Sequence, residues 1–210
     1  MHMRKTEAEV ENLKRAQGAV AAKRSRSQYF MKLYICFWGF AVAGVIGEAI
    51  WGFINYNIRG SYGFYPMAPT FMPLAPPYGI GAVALVLIVC PMVKKFKRMN
   101  IFATYLVSAA VLALVELTSA LLITAVLGKN PFWSYKYEPY NFYGMIELKN
   151  SLLFGVVGVV FVYLIYPRAR KIFKRVPEKV MKQIFWFTFV TYILDLGFAI
   201  YNILGHHVKL

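Results

Sequence analysis

Apolar residues in this chain come in long blocks separated by short polar stretches, not in the spaced stripes of a soluble amphipathic fold. Blocks able to cross about 30 Å of hydrocarbon occupy roughly 33–55, 76–93, 101–127, 151–166 and 183–204. The pattern predicts an all-α, polytopic integral membrane helix bundle with about five transmembrane helices. Residues 1–32 form a basic cytoplasmic N-terminal tail or surface helix, 33–205 the transmembrane bundle, and 206–210 a short outer C-terminal tail. Prolines punctuate the blocks. Pro76 and Pro77 suit the first turn of segment 2, Pro66, Pro69 and Pro73 make the stretch before it extended or turn-like, and Pro167 is expected to end segment 4.

Charge sets the expected orientation. Lys94, Lys95, Lys97 and Arg98 follow segment 2, and PRARKIFKRVPEKVMK follows segment 4. The stretches after segments 1 and 3 are aromatic and hold few cations. The positive-inside rule then gives N-in and C-out, with the plasma (inner) membrane as the expected location. Residues 1–32 carry a thin stripe of Val10, Leu13 and Val20, which fits either a helix on the anionic cytoplasmic surface or a solvated tail. No signal peptide is visible, because the first 30 residues are charged.

With 59% hydrophobic residues, too little polar sequence remains to cover the apolar blocks of a soluble domain. The net charge of +15 would suit nucleic acid, but the cations lie between the blocks; the expected partner is the lipid bilayer and no nucleic acid. Cys36 and Cys90 fall inside membrane segments and read as small core hydrophobes. There is no phosphate-binding glycine loop, no metal-ligand spacing and no nucleophilic triad. No cofactor or metal is expected, an enzyme is the less favoured class, and ATP hydrolysis would need a separate ATPase or other membrane subunit.

Three acids sit where acids are costly. Glu48, Glu116 and Asp195 lie within segments 1, 3 and 5, just outward of the midplane by residue count, and a charge at that depth costs at least about 2.5 kcal/mol. Helical spacing gives each a polar stripe: Gly44, Gly52 and Asn55 around Glu48, Ser108 and Ser119 around Glu116, Thr188, Thr191 and Asn202 around Asp195. Arg59, just beyond segment 1, is a candidate counter-charge. One reading is a polar cavity opening outward, which binds a cationic or hydrogen-bonding group or relays protons. The other is neutral acids bonded to neighbours and holding helices together. Gly39, Ala43 and Gly47, and likewise Ser151 and Gly155, form small-residue repeats that let helices approach, within or between chains. The aromatic stretch 132–143 is either an interfacial belt or a loop over the outer mouth, with Glu138, Asn141 and Glu147 as polar anchors.

Several short motifs occur in a fixed order: Glu48; Arg59-Gly60; Tyr78-Gly79-Ile80-Gly81-Ala82; Glu116-Leu117-Thr118-Ser119; Trp133-Ser134-Tyr135; Asn141-Phe142-Tyr143-Gly144; Asn150-Ser151. Over roughly residues 38–167 this resembles the family of putative ABC-transporter permeases of the CmpB type. The resemblance implies a permease-like membrane protein in which these motif residues matter. It departs at Ser134, where the family usually has Asp, and at Met145, where it usually has Arg, as though an Asp–Arg pair were lost together.

The leading expectation is therefore a permease-like transport protein with an outward-facing polar cavity, its substrate undetermined. Glu48 and Glu116 would bind or relay charge, with Arg59, Tyr78, Ser119, Trp133, Tyr135, Asn141, Asn150 and Asp195 as further site residues. Two alternatives stand: a membrane-embedded enzyme acting on a lipid or other amphiphile, and a non-catalytic accessory or scaffold subunit. No internal repeat is evident, and a homo-oligomer would supply the symmetry that an odd span count denies.

Overall fold

In hydrocarbon the backbone finds no water, so each N–H and C=O must be bonded within its own segment, and the apolar blocks fold as helices. The computed structural model describes residues 7–59, 75–96, 99–130 and 132–205. Helix α1 spans Glu7–Arg59, α2 Pro76–Lys95, α3 Ile101–Leu127, α4 Leu148–Arg175 and α5 Glu178–Gly205; strands β1 (Asn141–Phe142) and β2 (Ile146–Glu147) precede α4. Among the described residues, Ser25–Ile50 within α1, together with α2, α3 and α4, are the four segments long and apolar enough to cross a membrane. Leu114, Leu122, Val126 and Leu194 stand largely exposed on their helices, as lipid-facing side chains do. Lys97, Arg98, the proline-rich stretch 60–74 and the tail 206–210 lie outside the described residues, as do the side chains of Gly52, Asn55, Arg59 and Asn202.

Helix boundaries follow local chemistry. Helix α2 opens on Pro76 and Pro77 after the extended Ala75, where missing N–H groups cost nothing. The Asn100 side chain caps α3 by accepting from Ala103 N at 2.8 Å, and Gly128, at φ 76°, closes it. Helix α1 passes from Glu7 into the first span without a break.

Pro167 does not end segment 4. A π-helical turn at Phe161–Ile165 precedes it, in which the Tyr166 N–H reaches back to the Phe161 carbonyl, and the helix continues to Arg175. A proline inside an α-helix lacks one N–H and crowds the carbonyl four residues earlier. The wider turn absorbs that misfit. Helix α2 repeats the device, with a π turn at Leu85–Val89 and Pro91 two residues on. The two π turns pack on each other. Leu85, Val86 and Val89 from one and Phe161 and Val162 from the other, with Ala82 and Cys90 flanking the first, form the buried apolar cluster. Phe40 closes it edge-on to Phe161, centroids 4.9 Å apart.

The most extensive helix packing is α3 on α4 and α1 on α2. A side chain at Gly155 would strike Tyr105, and one at Gly158 would strike Ser108, so the small residues of α4 serve contact within the chain. Those of α1 do not. Gly39 and Gly47 have nothing within 4 Å of where a Cβ would stand, and with Ala43 they face out of the bundle. Helix α5 lies against α1: Tyr34 Oη donates to Thr188 O at 3.1 Å, and the Tyr34 and Phe185 rings meet edge-on at 5.1 Å. Both cysteines are free.

This geometry sorts glycines that the sequence treats alike. Gly158→Val should lower stability by about 1–3 kcal/mol through overpacking against Ser108. Gly39→Ala should stay within about 0.5 kcal/mol of the parent. Thermal unfolding in detergent reads both; equal losses at the two positions would refute the assignment.

Candidate functional site

Two of the intramembrane acids end in the same kind of contact. Tyr78 Oη donates to Glu48 Oε1 at 2.7 Å, and Tyr135 Oη donates to Glu116 Oε1 at 2.7 Å. Each couple joins separate pieces of chain, α2 to α1 in the first and the stretch before β1 to α3 in the second. The couples are also neighbours, since Tyr78 lies within electrostatic reach of both Tyr135 and Glu116. Asn150, in the first turn of α4, comes close enough to the Tyr135 phenol for a side-chain hydrogen bond.

Local structure explains how the tyrosines arrive. Tyr78 stands in the first turn of α2, and its ring occupies the space a side chain at Gly44 would need. The glycine four residues before Glu48 thus admits the phenol to the acid. Tyr135 is delivered by a small folded unit. Strands β1 and β2 pair antiparallel, with Asn141 opposite Glu147. They are joined by a turn in which Tyr143 (φ 50°) and Gly144 (φ 68°) are both left-handed, as a type I′ turn demands. Asn141 Oδ1 accepts from Gly144 N at 2.8 Å and holds the turn. Trp133 Nε1 donates to Met145 O at 3.1 Å, and Tyr135 N to Gly144 O at 2.8 Å, docking the preceding chain against it. A side chain at Gly144 would press on the Lys136 backbone at 3.3 Å.

Trp133 and Asn141 therefore build the support for Tyr135; the contacts that engage their polar groups lie within that loop. Ser134 and Met145 fall on the two stretches that this docking brings together. Ser119 bonds back to Val115 O at 2.8 Å, inside its own helix. Asp195 is buried on α5 beside Tyr192, whose ring meets Phe37 of α1 at 5.8 Å. The groups around the two couples come from α1, α2, α3, the hairpin and α4.

One residue of the site is an acid that the spacing did not single out for it. Glu147, the last residue before α4, is buried and lies within electrostatic reach of Glu116 and Tyr135. Its Oε2 and that of Glu116 are both buried without a hydrogen-bond partner. Burial pushes the Glu147 carboxyl above the usual carboxylate range; Glu138 adds to the rise and Lys149 opposes it. Burial and the Glu116 carboxylate likewise push the Tyr135 phenol up, so it stays protonated and remains a donor. The nearest signal in the sequence was an acid beside the aromatic stretch, at the mouth of segment 4.

A family model described as "Putative ABC-transporter type IV" matches residues 35–200. The chain belongs to that family. No curated protein and no solved structure matches the chain. The ABC-transporter type IV region reaches beyond Pro167 into α5, and it contains both couples, the hairpin and Glu147. Four apolar helices and this membership make the chain an integral membrane protein related to ABC transporters.

Glu147 gives a prediction with a definite sign. A carboxyl raised in the folded state carries no penalty below its unfolded pKa, and the penalty grows as pH climbs through the folded value. Glu147→Gln removes the charge, so it should raise stability at neutral pH, by about 1 kcal/mol. The gain should vanish below about pH 4. Thermal unfolding of both proteins across that range is the measurement; a Gln variant less stable at pH 7 would contradict it.

Proposed function

We propose that this chain is the membrane-spanning, permease-like component of a transport system. Its site lies in the outer half of the bundle and engages a cationic or hydrogen-bond-donating group. The observation that carries this reading is the convergence of two carboxylate–phenol couples from separate elements, with two buried carboxylate oxygens left unpartnered beside them. A buried acceptor without a donor costs about 1–3 kcal/mol, and a cationic or donor-bearing substrate relieves that cost. Intramembrane acids gathered this way commonly mark a substrate or proton path.

In this reading α5 is the fifth span, the N-terminus is cytoplasmic and the C-terminus is outside. Tyr78 and Asn150 start their helices, while Lys94 and Lys95 end α2 and Lys174 and Arg175 end α4. The site therefore lies at the end of the bundle away from those basic stretches, the outer end by the positive-inside rule. Glu48 and Glu116 bind the charge or pass protons, Tyr78 and Tyr135 donate to whichever carboxylate is ionised, and Arg59 balances them. Trp133 and Asn141 hold the loop at the mouth. Energy comes from a separate ATPase subunit or from an ion gradient.

A second reading has its own support. Each couple ties two separate elements together, which is what a structural clamp in an accessory or scaffold subunit would do. Glu48→Gln and Glu116→Gln separate the two, because Gln keeps an acceptor for the phenol and removes the charge. For a transport site, both should fail to complement a deletion strain while the melting temperature stays within about 4 °C of the parent. Marked destabilisation with complementation intact would assign the couples to the clamp. Recovery of an ATPase subunit with the parent protein from native membranes would support the energy source.

A further inference from the structure

The opposite end of the bundle holds a second polar feature. Between the last turns of α2 and the part of α4 from its π turn onward lies a cleft of about 370 Å³, within the size range of small-ligand sites. Lys94 from one helix and Arg170, Lys171 and Lys174 from the other line it, and no acid does. Its floor is apolar, since Cys90 and Val162 there are 4% and 5% exposed.

We propose that this cleft binds a phosphate group, carried by the headgroup of an anionic membrane lipid. Four cations converge from two helices on one concavity. Among the described residues none of the four is in an ion pair, whereas Arg15 and Lys182 pair with Glu11 and Glu178. Basic side chains left without acids around a hollow are arranged for an anion from elsewhere. The guanidinium of Arg170 can present two parallel N–H groups to a phosphate, and the lysines add point charge.

Position selects lipid as the source. Lys94 lies in the last turn of α2, and Arg170 follows the last apolar run of α4. Both thus stand where hydrocarbon gives way to headgroups, and basic pockets between spans at that level take phospholipid headgroups. The cleft is also held in shape. Lys94 Nζ stands 5.8 Å from the centre of the Tyr166 ring, and Tyr163, in the π turn, is held to Thr104 by a 3.0 Å hydroxyl contact. The π turn before Pro167 sets which face of α4 its cations present, a use of π turns often met at functional sites.

The test is native mass spectrometry of the full chain, delipidated in detergent and given equal phosphatidylglycerol and phosphatidylcholine of the same acyl chains. The parent should retain phosphatidylglycerol about tenfold over phosphatidylcholine. Each of Arg170→Gln and Lys174→Gln should cut that preference to about twofold, and the double variant should bring it to parity. The control Lys95→Gln/Lys179→Gln removes as much charge as that double variant, outside the cleft, and should leave the preference within about twofold of the parent. Stabilisation by millimolar inorganic phosphate that Arg170→Gln abolishes, without lipid preference, would keep the phosphate site and make its source soluble. No lipid preference and no phosphate effect would overturn the proposal. So would a control that loses as much as the cleft variants, since the attraction would then be diffuse.

Discussion

A polar group inside the hydrocarbon layer must find its partner in the protein, and most of the described structure is arranged around that demand. It makes the apolar blocks helical, because only a helix bonds its whole backbone locally. It also sets how the helices associate, since lipid gives them no hydrophobic reason to meet. The contacts that remain available are close packing at small residues and hydrogen bonds between side chains of different elements. Tyr105 over Gly155 is the first kind, and Tyr78 on Glu48 is the second. A glycine and an acid four residues apart on α1 supply both at once: Gly44 gives the ring its space and Glu48 gives the hydroxyl its acceptor.

The same demand accounts for the paired π turns. Proline within a span breaks the regular ladder, and in lipid the freed carbonyl has no water to turn to. Both Pro91 and Pro167 are preceded by a turn that widens the helix, and the two wide turns face one another in the apolar core. One face of each irregular turn is therefore packed on protein, while Leu87, Ile88 and Leu164 stand exposed on the other.

Much of the helical layout was legible in the sequence. Segment 3 runs from residue 101 to 127 in both readings, and Pro76 opens α2 where proline chemistry places it. Pro167 misled because a one-residue expansion of the helix is invisible to hydropathy. Glu48 and Glu116 stood out by their cost alone, and the family pattern added Tyr78, Tyr135 and Asn150. Helical periodicity failed for the partners of the acids. It pointed to Ser and Thr on the same helix, yet Ser119, Thr188 and Thr191 all bond to carbonyls of their own helices. Hydroxyls one turn from a free carbonyl satisfy themselves locally. Glu48 and Glu116 take phenols instead, which no spacing rule on a single helix can supply.

The length of α1 has a mechanical meaning. Its 53 residues extend about 80 Å at the helical rise, against about 45 Å for a bilayer with its headgroup layers. The first span begins only at Ser25, so several turns stand beyond it as one rod with the segment that carries Glu48. A rod with no joint cannot be turned at one end alone. A turn or shift of its Glu7 end is therefore carried along one continuous helix to the carboxylate that Tyr78 holds.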